Sequence, residues 1–415
     1  MPNPSINLFS IAVSIALILL ILDILIIIYF KHQFSFSGKN LILLFLLALI
    51  LRIFIILSLP FAQGHDIYSF IWAGQSIINK ADIYADININ AHYAFLPTIG
   101  LLFASLISLS QKFSISLIIL FKLIIVSFDS LIPPLLFYIK KDFKMGLIYA
   151  FCPIPIIICA YLGQFEAITL FLFLSGLFLI SLKKEIPGAL VFGLSILTKP
   201  WPVAFIPLLL FRKIKNKLNF LLLILFPIIY IVLIYKILLP KTNLQNIPFV
   251  IFSYSCVKGW WGPSIIFNFL AEATRHRKIL SLPSLASEFF VVLAIIYFSR
   301  LFKKTDLFRA VKFIILLIYT LSFGLGSHYL LWILPFALLT KDKYLPLYIF
   351  FTSIYLILFG VFQGLTYDFY PPKLPYIYYT VFSFSLWTFF LFWFLKEMKL
   401  NKIYPKQMLT KIFSA

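Results

Sequence analysis

Residues 40–60 read NLILLFLLALILRIFIILSLP, twenty-one residues with a single charge, Arg52, and a proline only at the end. A helix of that length is about 30 Å long, the thickness of a bilayer's hydrocarbon core. The run shows none of the apolar–polar alternation of an outer-membrane strand and is too long for one. A helix that is apolar on every side needs apolar surroundings. Similar runs fill the rest of the chain. Of its 415 residues, 62% are apolar and 12% are charged, and the mean hydropathy is +1.04. A soluble domain carries about 25% charged residues, and no soluble globule could cover so much apolar surface with so thin a polar skin. The composition excludes a cytosolic enzyme, a nucleic-acid-binding domain and a disordered chain. It predicts an all-α, polytopic integral membrane protein of about 12 transmembrane helices.

The net charge is +21. In a soluble protein that excess would suggest nucleic acid, but here the basic residues stand in short clusters between apolar runs. That is the pattern of cytoplasmic loops, which hold Lys and Arg on one side and face anionic headgroups. Assigning each cluster to the cytoplasm gives spans near 6–30, 40–60, 116–139, 145–162 and 167–182. Two short helices follow over 187–211, meeting near Lys199-Pro200-Trp201-Pro202. Further spans are expected near 218–239, 287–302, 310–326, 329–340, 344–362 and 375–395, with a basic tail. Two long segments, 61–115 and 240–286, then fall outside the cytoplasm. Residues 96–109 are apolar but too short to cross separately, so they are expected to lie at the outer interface as a helix. Residues 1–39 form an additional span and inside loop, 40–340 the core, and 341–415 the C-terminal spans and tail.

The stretch Met1 to Asn7 has no positive charge and no A-x-A-like site follows, so residues 6–30 read as a retained span rather than a cleaved signal. Cys152, Cys159 and Cys256 have no metal-ligand spacing and cannot form a full disulfide framework; the first two read as buried free thiols.

Polar groups near hydrocarbon are costly, so their positions carry information. Four constellations fall at the outer ends of spans. Gly64-His65-Asp66 follows the second span. Asp66 could serve as a general base on a sugar hydroxyl or as the N-cap of the helix-like stretch 67–79. Gly163-Gln164-Phe165-Glu166 forms an outer turn, where Glu166 could orient an acceptor, hold a cation or simply be a solvated turn acid. In Thr198-Lys199-Pro200-Trp201-Pro202 the two prolines break the helix and leave Lys199 to meet a phosphate or to snorkel at the interface. In Gly326-Ser327-His328-Tyr329, His328 could donate to a phosphate or sugar, while Tyr329 and Trp332 also suit an aromatic belt.

Weaker features support these. Lys258-Gly259-Trp260-Trp261-Gly262 in the second outside segment pairs a cation with stacked aromatics whose indole faces could pack on a sugar, and the same residues would suit a membrane belt. Arg52, Lys122 and Asp129 lie within spans, where an Arg52–Asp129 or Lys122–Asp129 pair would offset the cost of burial. Asp23 has no evident partner, and Asp82 and Asp86 read as loop residues. There is no Walker motif, G-x-G-x-x-G or HExxH, and no His/Cys/Asp/Glu cluster that argues for a metal. A donor carried on a lipid phosphate would meet the need for a sugar that reaches the outer face without a nucleotide fold, since the membrane itself delivers it.

With these residues in place, the chain resembles the C-type (GT-C) superfamily of multispanning glycosyltransferases, in particular the branch related to the GPI mannosyltransferases and their prokaryotic homologues. The resemblance covers about residues 45–340. Its pieces are the Arg52 span leading to Gly64-His65-Asp66, the Tyr84 region followed by Leu96-Pro97, the Lys122 to Asp129 span, Gly163-Gln164-Phe165-Glu166, Gly193 to Pro202 and Gly326 to Phe336. It implies a multi-pass protein of the cell membrane with its site outside the cytoplasm. It further implies transfer of mannose or another hexose from a polyprenyl or dolichyl monophosphate to a hydroxyl of a glycolipid or glycan acceptor. In such enzymes the first-loop acid is the base, a role that falls on Asp66; donor-phosphate and substrate contacts fall on Lys199, His328, Tyr329, Glu166, Gln164, Lys258 and Trp260. Relatives commonly carry Asp at the position of Glu166 and Tyr-Pro-Pro where this chain has Phe95-Leu96-Pro97. Some members use a divalent cation. The competing class is a transporter or flippase of lipid-linked sugar, which would favour ionisable groups at the bilayer midplane and related halves.

Overall fold

A computed structural model describes residues 4–30, 36–60, 62, 64, 66–85, 93–253, 261–274, 281–361 and 376–400. Among them the secondary structure is helical throughout, with no strand. Five helices are long and apolar enough to cross a membrane: Ser10–Tyr29, Gly38–Ser58, Leu117–Lys140, Lys217–Leu238 and Thr380–Leu400. The pair Phe143–Phe151 and Pro153–Tyr161, bent by 43°, counts as a sixth if it is one span. Shorter apolar helices cover Glu166–Ser181, Glu185–Thr198, Trp201–Phe211, Ser327–Leu339 and Leu345–Gly360. Large aliphatic side chains stand exposed along the long helices, among them Ile21, Ile42, Ile50, Leu57 and Ile237. Faces of this kind, on helices of spanning length, suit contact with hydrocarbon. The protein is a helical membrane protein.

The chain divides into two compact units. The first comprises Met1–Ile206, Lys213–Ser255 and Ser327–Lys373; the second comprises Pro207–Arg212, Cys256–Gly326 and Leu374–Ala415.

In the first unit, α1 (Pro4–Tyr29) and α2 (Gly38–Ser58) are followed by α3 (Asp66–Ile78), α4 (Pro97–Phe113), α5 (Leu117–Lys140) and α6 (Phe143–Phe151). Local chemistry sets their ends. The Ser37 hydroxyl accepts from the Asn40 N–H at the start of α2, relieving one orphan donor. Pro97 opens α4 at its first position, where its missing N–H costs nothing. Lys141 closes α5 in the left-handed conformation, φ 58°. The α3 and α4 backbones lie close because Gly74 faces Phe103 there: a Cβ at Gly74 would sit 2.7 Å from the Cβ of Phe103. The helix expected over 96–109 is present as α4.

The expected span over 145–162 is not one straight helix. Cys152 stands before Pro153, and Pro155 follows. Neither proline can donate to the preceding turn, and the residue before a proline is driven out of the helical region; Cys152 has ψ 127°. The chain resumes as a wide π turn over Ile156–Tyr161.

A buried ion pair fastens α2 to α5. Arg52 Nε donates to Asp129 Oδ2, Tyr149 OH donates to Asp129 Oδ1 at 2.8 Å, and Arg52 Nη1 donates to the carbonyls of Ala150 at 2.9 Å and Ala48 at 3.2 Å. Of the two pairings open in the sequence, Asp129 takes Arg52. Asp23 is fully buried in α1 beside the Cys152 thiol. Cys152 and Cys159 are buried free thiols, as expected.

The second unit packs Ser281–Leu301, Leu307–Leu321 and Tyr376–Leu400 around rings of Phe298, Phe313, Phe394 and Phe390. Trp261 Nε1 donates to the Tyr319 carbonyl at 2.7 Å, and Lys312 pairs with Glu397 at 3.1 Å.

Candidate functional site

The site begins at the turn that the broken helix makes possible. After the π turn, Gly163 adopts φ +70°, a conformation open to glycine at little cost. Its Cβ position is also closed, since a methyl there would lie 2.9 Å from Ile67 Cδ1 and 3.3 Å from Lys122 Cε. The reversal points Gln164 toward α3 and starts the helix Glu166–Ser181 with Glu166 in its first turn, where a carboxylate meets the positive end of the helix dipole. The Gly64 N–H donates to the Leu162 carbonyl at 2.7 Å, so the segment before α3 runs directly beside this turn.

Asp66 is the first residue of α3 and is partly exposed. Gln164 Nε2 donates to its Oδ2 at 2.8 Å. Its Oδ1 makes no hydrogen bond among the described residues, and no backbone N–H of α3 is seen bonded to the side chain. Of the two roles open in the sequence, the geometry leaves one oxygen available to an external proton. Gln164 is itself buried, and its Oε1 has no hydrogen-bond partner among the described residues.

Lys199 reaches the same turn from the other side. It ends the helix Glu185–Thr198 in an extended conformation, φ −143° and ψ 140°, the conformation a following Pro200 enforces. Thr198 Oγ1 lies 2.7 Å from Thr169 Oγ1 across the two neighbouring helices, which fixes the level at which the lysine leaves its helix. Its Nζ donates to Glu166 Oε1 at 2.6 Å, with both side chains buried. Three rings surround the ammonium, with centroids at 4.6 Å for Phe165, 5.5 Å for Phe95 and 5.6 Å for Tyr329. An aromatic cage of this kind holds a cation through the ring quadrupoles. Lys199 is therefore not snorkelling. Its charge is matched first by Glu166, which is an ion-pair partner and not a solvated turn acid.

His328 and Tyr329 belong to the 3₁₀ turn Ser327–Ile333. His328 Nε2 lies 3.5 Å from Glu166 Oε1, and 15% of the side chain remains exposed. Desolvation, and then the charge of Lys199, hold the imidazole well below its ordinary pKa, so it is neutral at pH 7. Tyr329 stacks edge-on against His328 at 4.3 Å and continues into Trp332 at 4.5 Å and Trp201, whose ring lies 4.4 Å from Trp332 at 18°.

The structure thus brings Asp66, Gln164, Glu166, Lys199, His328 and Tyr329 together in the first unit. Lys258 and Trp260 lie outside the described residues, as do His65, Asp86 and Cys256. Asp82 is a structural tie: its Oδ1 accepts from Tyr235 OH and from the Tyr84 N–H, both at 3.0 Å. Tyr84 OH in turn donates to the Phe95 carbonyl at 2.7 Å, which sets one wall of the cage. Nothing in the sequence places Phe95 and Phe165 around Lys199: Phe165 stands inside the Gly-Gln-Phe-Glu run, but ring–cation distances are tertiary. Among the described residues no three His, Cys, Asp or Glu side chains gather in a group able to hold a metal ion. The site combines one half-free carboxylate, a caged cation paired to a second carboxylate, and a neutral imidazole. Such a set can take a proton from a hydroxyl and place positive charge near a leaving oxyanion. No family model, no curated protein and no solved structure matches this chain.

Proposed function

We propose that this protein is a GT-C-like membrane glycosyltransferase. In this reading it moves a sugar, mannose or another hexose, from a polyprenyl or dolichyl monophosphate to a hydroxyl of a glycolipid or glycan on the extracytoplasmic face. Read as further crossings, the shorter apolar helices would raise the five or six candidate spans toward the twelve expected from the sequence, and the membrane would deliver the donor.

The observation that carries this reading is the continuity from Asp66 through Gln164 and Glu166 to Lys199 and His328. Residues spread from position 66 to position 328 bring a base, a cation and a neutral imidazole to one turn. The acceptor hydroxyl attacks sugar C1 as the bond from C1 to the phosphate oxygen breaks. Its proton passes to the open oxygen of Asp66, and the electron pair leaves with the lipid phosphate. A single displacement of this kind inverts C1. Gln164 holds the other carboxylate oxygen, orienting the base, and Lys199 supplies positive charge where the phosphate gains its negative charge, with the neutral imidazole of His328 close by. Fixed positive groups act most strongly on charge that develops in the transition state.

The test is sugar transfer by the purified chain in lipid, with a polyprenyl-phosphate hexose as donor. Asp66→Asn is expected to lower kcat by about 10²- to 10⁴-fold, the usual contribution of a positioned base. Equal activity in the two proteins removes the assignment. Movement of the intact lipid-linked sugar across the bilayer, with no transfer, supports a flippase instead.

A further inference from the structure

Lys122 is fully buried within α5. The sequence offered Asp129 as its partner, but that carboxylate is occupied by Arg52 and Tyr149. Among the described residues no acid pairs with Lys122. Its ammonium donates instead to two backbone carbonyls, those of Ala62 and Tyr161, the second at 2.7 Å. A buried ammonium is costly unless its protons are satisfied, so this pair of bonds needs an explanation.

The two carbonyls belong to the two segments that carry the site. Ala62 lies four residues before Asp66, and Tyr161 three residues before Gln164. Between them the Gly64 N–H reaches the Leu162 carbonyl at 2.7 Å, and the Gln164 N–H reaches the Ile158 carbonyl at 2.9 Å. The lysine stem lines the Gly163 reversal, with Cε 3.3 Å and Cγ 3.5 Å from the position a Cβ there would take. Prolines 153 and 155 have already removed two backbone donors from the helix leading to this turn. The bent helix alone therefore does not fix the turn's position.

We infer that Lys122 is a positioning residue for the site: one ammonium fastens the segment bearing Asp66 to the turn bearing Gln164 and Glu166, and so sets the contact between base and turn. The inference rests on the transferase reading for its consequence, though not for its geometry. A lysine suits this task because the three donors of a single ammonium can satisfy carbonyls on two segments at once.

Hydrogen–deuterium exchange of the substrate-free full chain in nanodiscs tests the clamp without any assay of transfer. Lys122→Met removes the donors and nearly keeps the volume. Exchange at the Gly64 and Gln164 amides is expected to rise at least about tenfold, an opening easier by about 1.4 kcal/mol, while amides of the Leu307–Leu321 helix keep their rate. Lys122→Arg retains donors and is expected to keep most of the protection. Unchanged exchange at both amides in Lys122→Met overturns the proposal, and so does an equal rise in Lys122→Met and Lys122→Arg. If Lys122→Met does not fold, Lys122→Arg decides: protection of both amides at the wild-type level supports the clamp, and its loss overturns it. In the transfer assay Lys122→Met is expected to lower kcat by about 100-fold, as a misplacement of about 1 Å does, with the donor KM little changed. A loss of transfer with both amides still protected also overturns the clamp. A wild-type chain that transfers no sugar sinks the transferase reading and leaves the exchange result to judge the clamp alone.

Discussion

At the scale of single residues, the site is a balance of few charges in a poorly solvated place. Lys199 and Glu166 are both buried and neutralise each other at 2.6 Å, so the pair adds direction and little net charge. His328 completes the balance by staying neutral, because burial and the nearby Lys199 hold its pKa down. The pH dependence follows from that direction. Above about pH 6.5 the imidazole is neutral in both folded and unfolded chains and favours neither. As pH falls below that value the unfolded chain binds a proton that the folded site resists, so stability declines. The melting temperature is expected to fall between pH 7 and pH 5, and His328→Gln is expected to flatten that slope. Thermal unfolding in detergent at several pH values measures it; an equally steep slope in the variant shows that His328 is not the group responsible.

At the scale of elements, the site exists because three helices end where they do. The Cys152–Pro153 break, the Gly163 reversal and the Lys199–Pro200 stop each follow from backbone chemistry. The pairing of α2 with α5 through Arg52 and Asp129 holds the elements beneath. Removing one partner of a buried pair strands the other, at a cost of about 3–5 kcal/mol. Arg52→Met is expected to lower thermal stability by that order, and Arg52→Met with Asp129→Leu to recover most of it. Calorimetry or fluorescence-detected unfolding of the two variants decides the matter. A double variant no more stable than the single one shows that the pair does not carry the effect.

At the scale of the whole molecule, the basic clusters and the site residues are expected on opposite faces of the membrane. Tyr68 on α3 and Lys183 after the Glu166–Ser181 helix are both exposed and report on those faces. In a chain with Cys256 replaced by serine, Tyr68→Cys is expected to react with an impermeant maleimide added to intact cells, and Lys183→Cys only after lysis. Cys152 and Cys159 are buried and should stay silent. The reverse labelling would put the site on the cytoplasmic side and remove the extracytoplasmic donor from the proposal.

By itself the sequence determined the membrane class, because composition and run length need no partner to be read. It also singled out Asp66, Gln164, Glu166, Lys199 and His328, since polar groups at the ends of apolar runs are conspicuous. Only the tertiary structure decided who meets whom. Asp129 was within plausible reach of both Arg52 and Lys122, and helix packing gave it to Arg52. The 145–162 run looked continuous, yet its prolines bend it and create the turn that the site is built on. Lys199 could have faced lipid headgroups, and three rings from distant segments enclose it instead. Hydropathy is a property of each segment, whereas an ion pair depends on distances between segments, and those arise only when the helices pack.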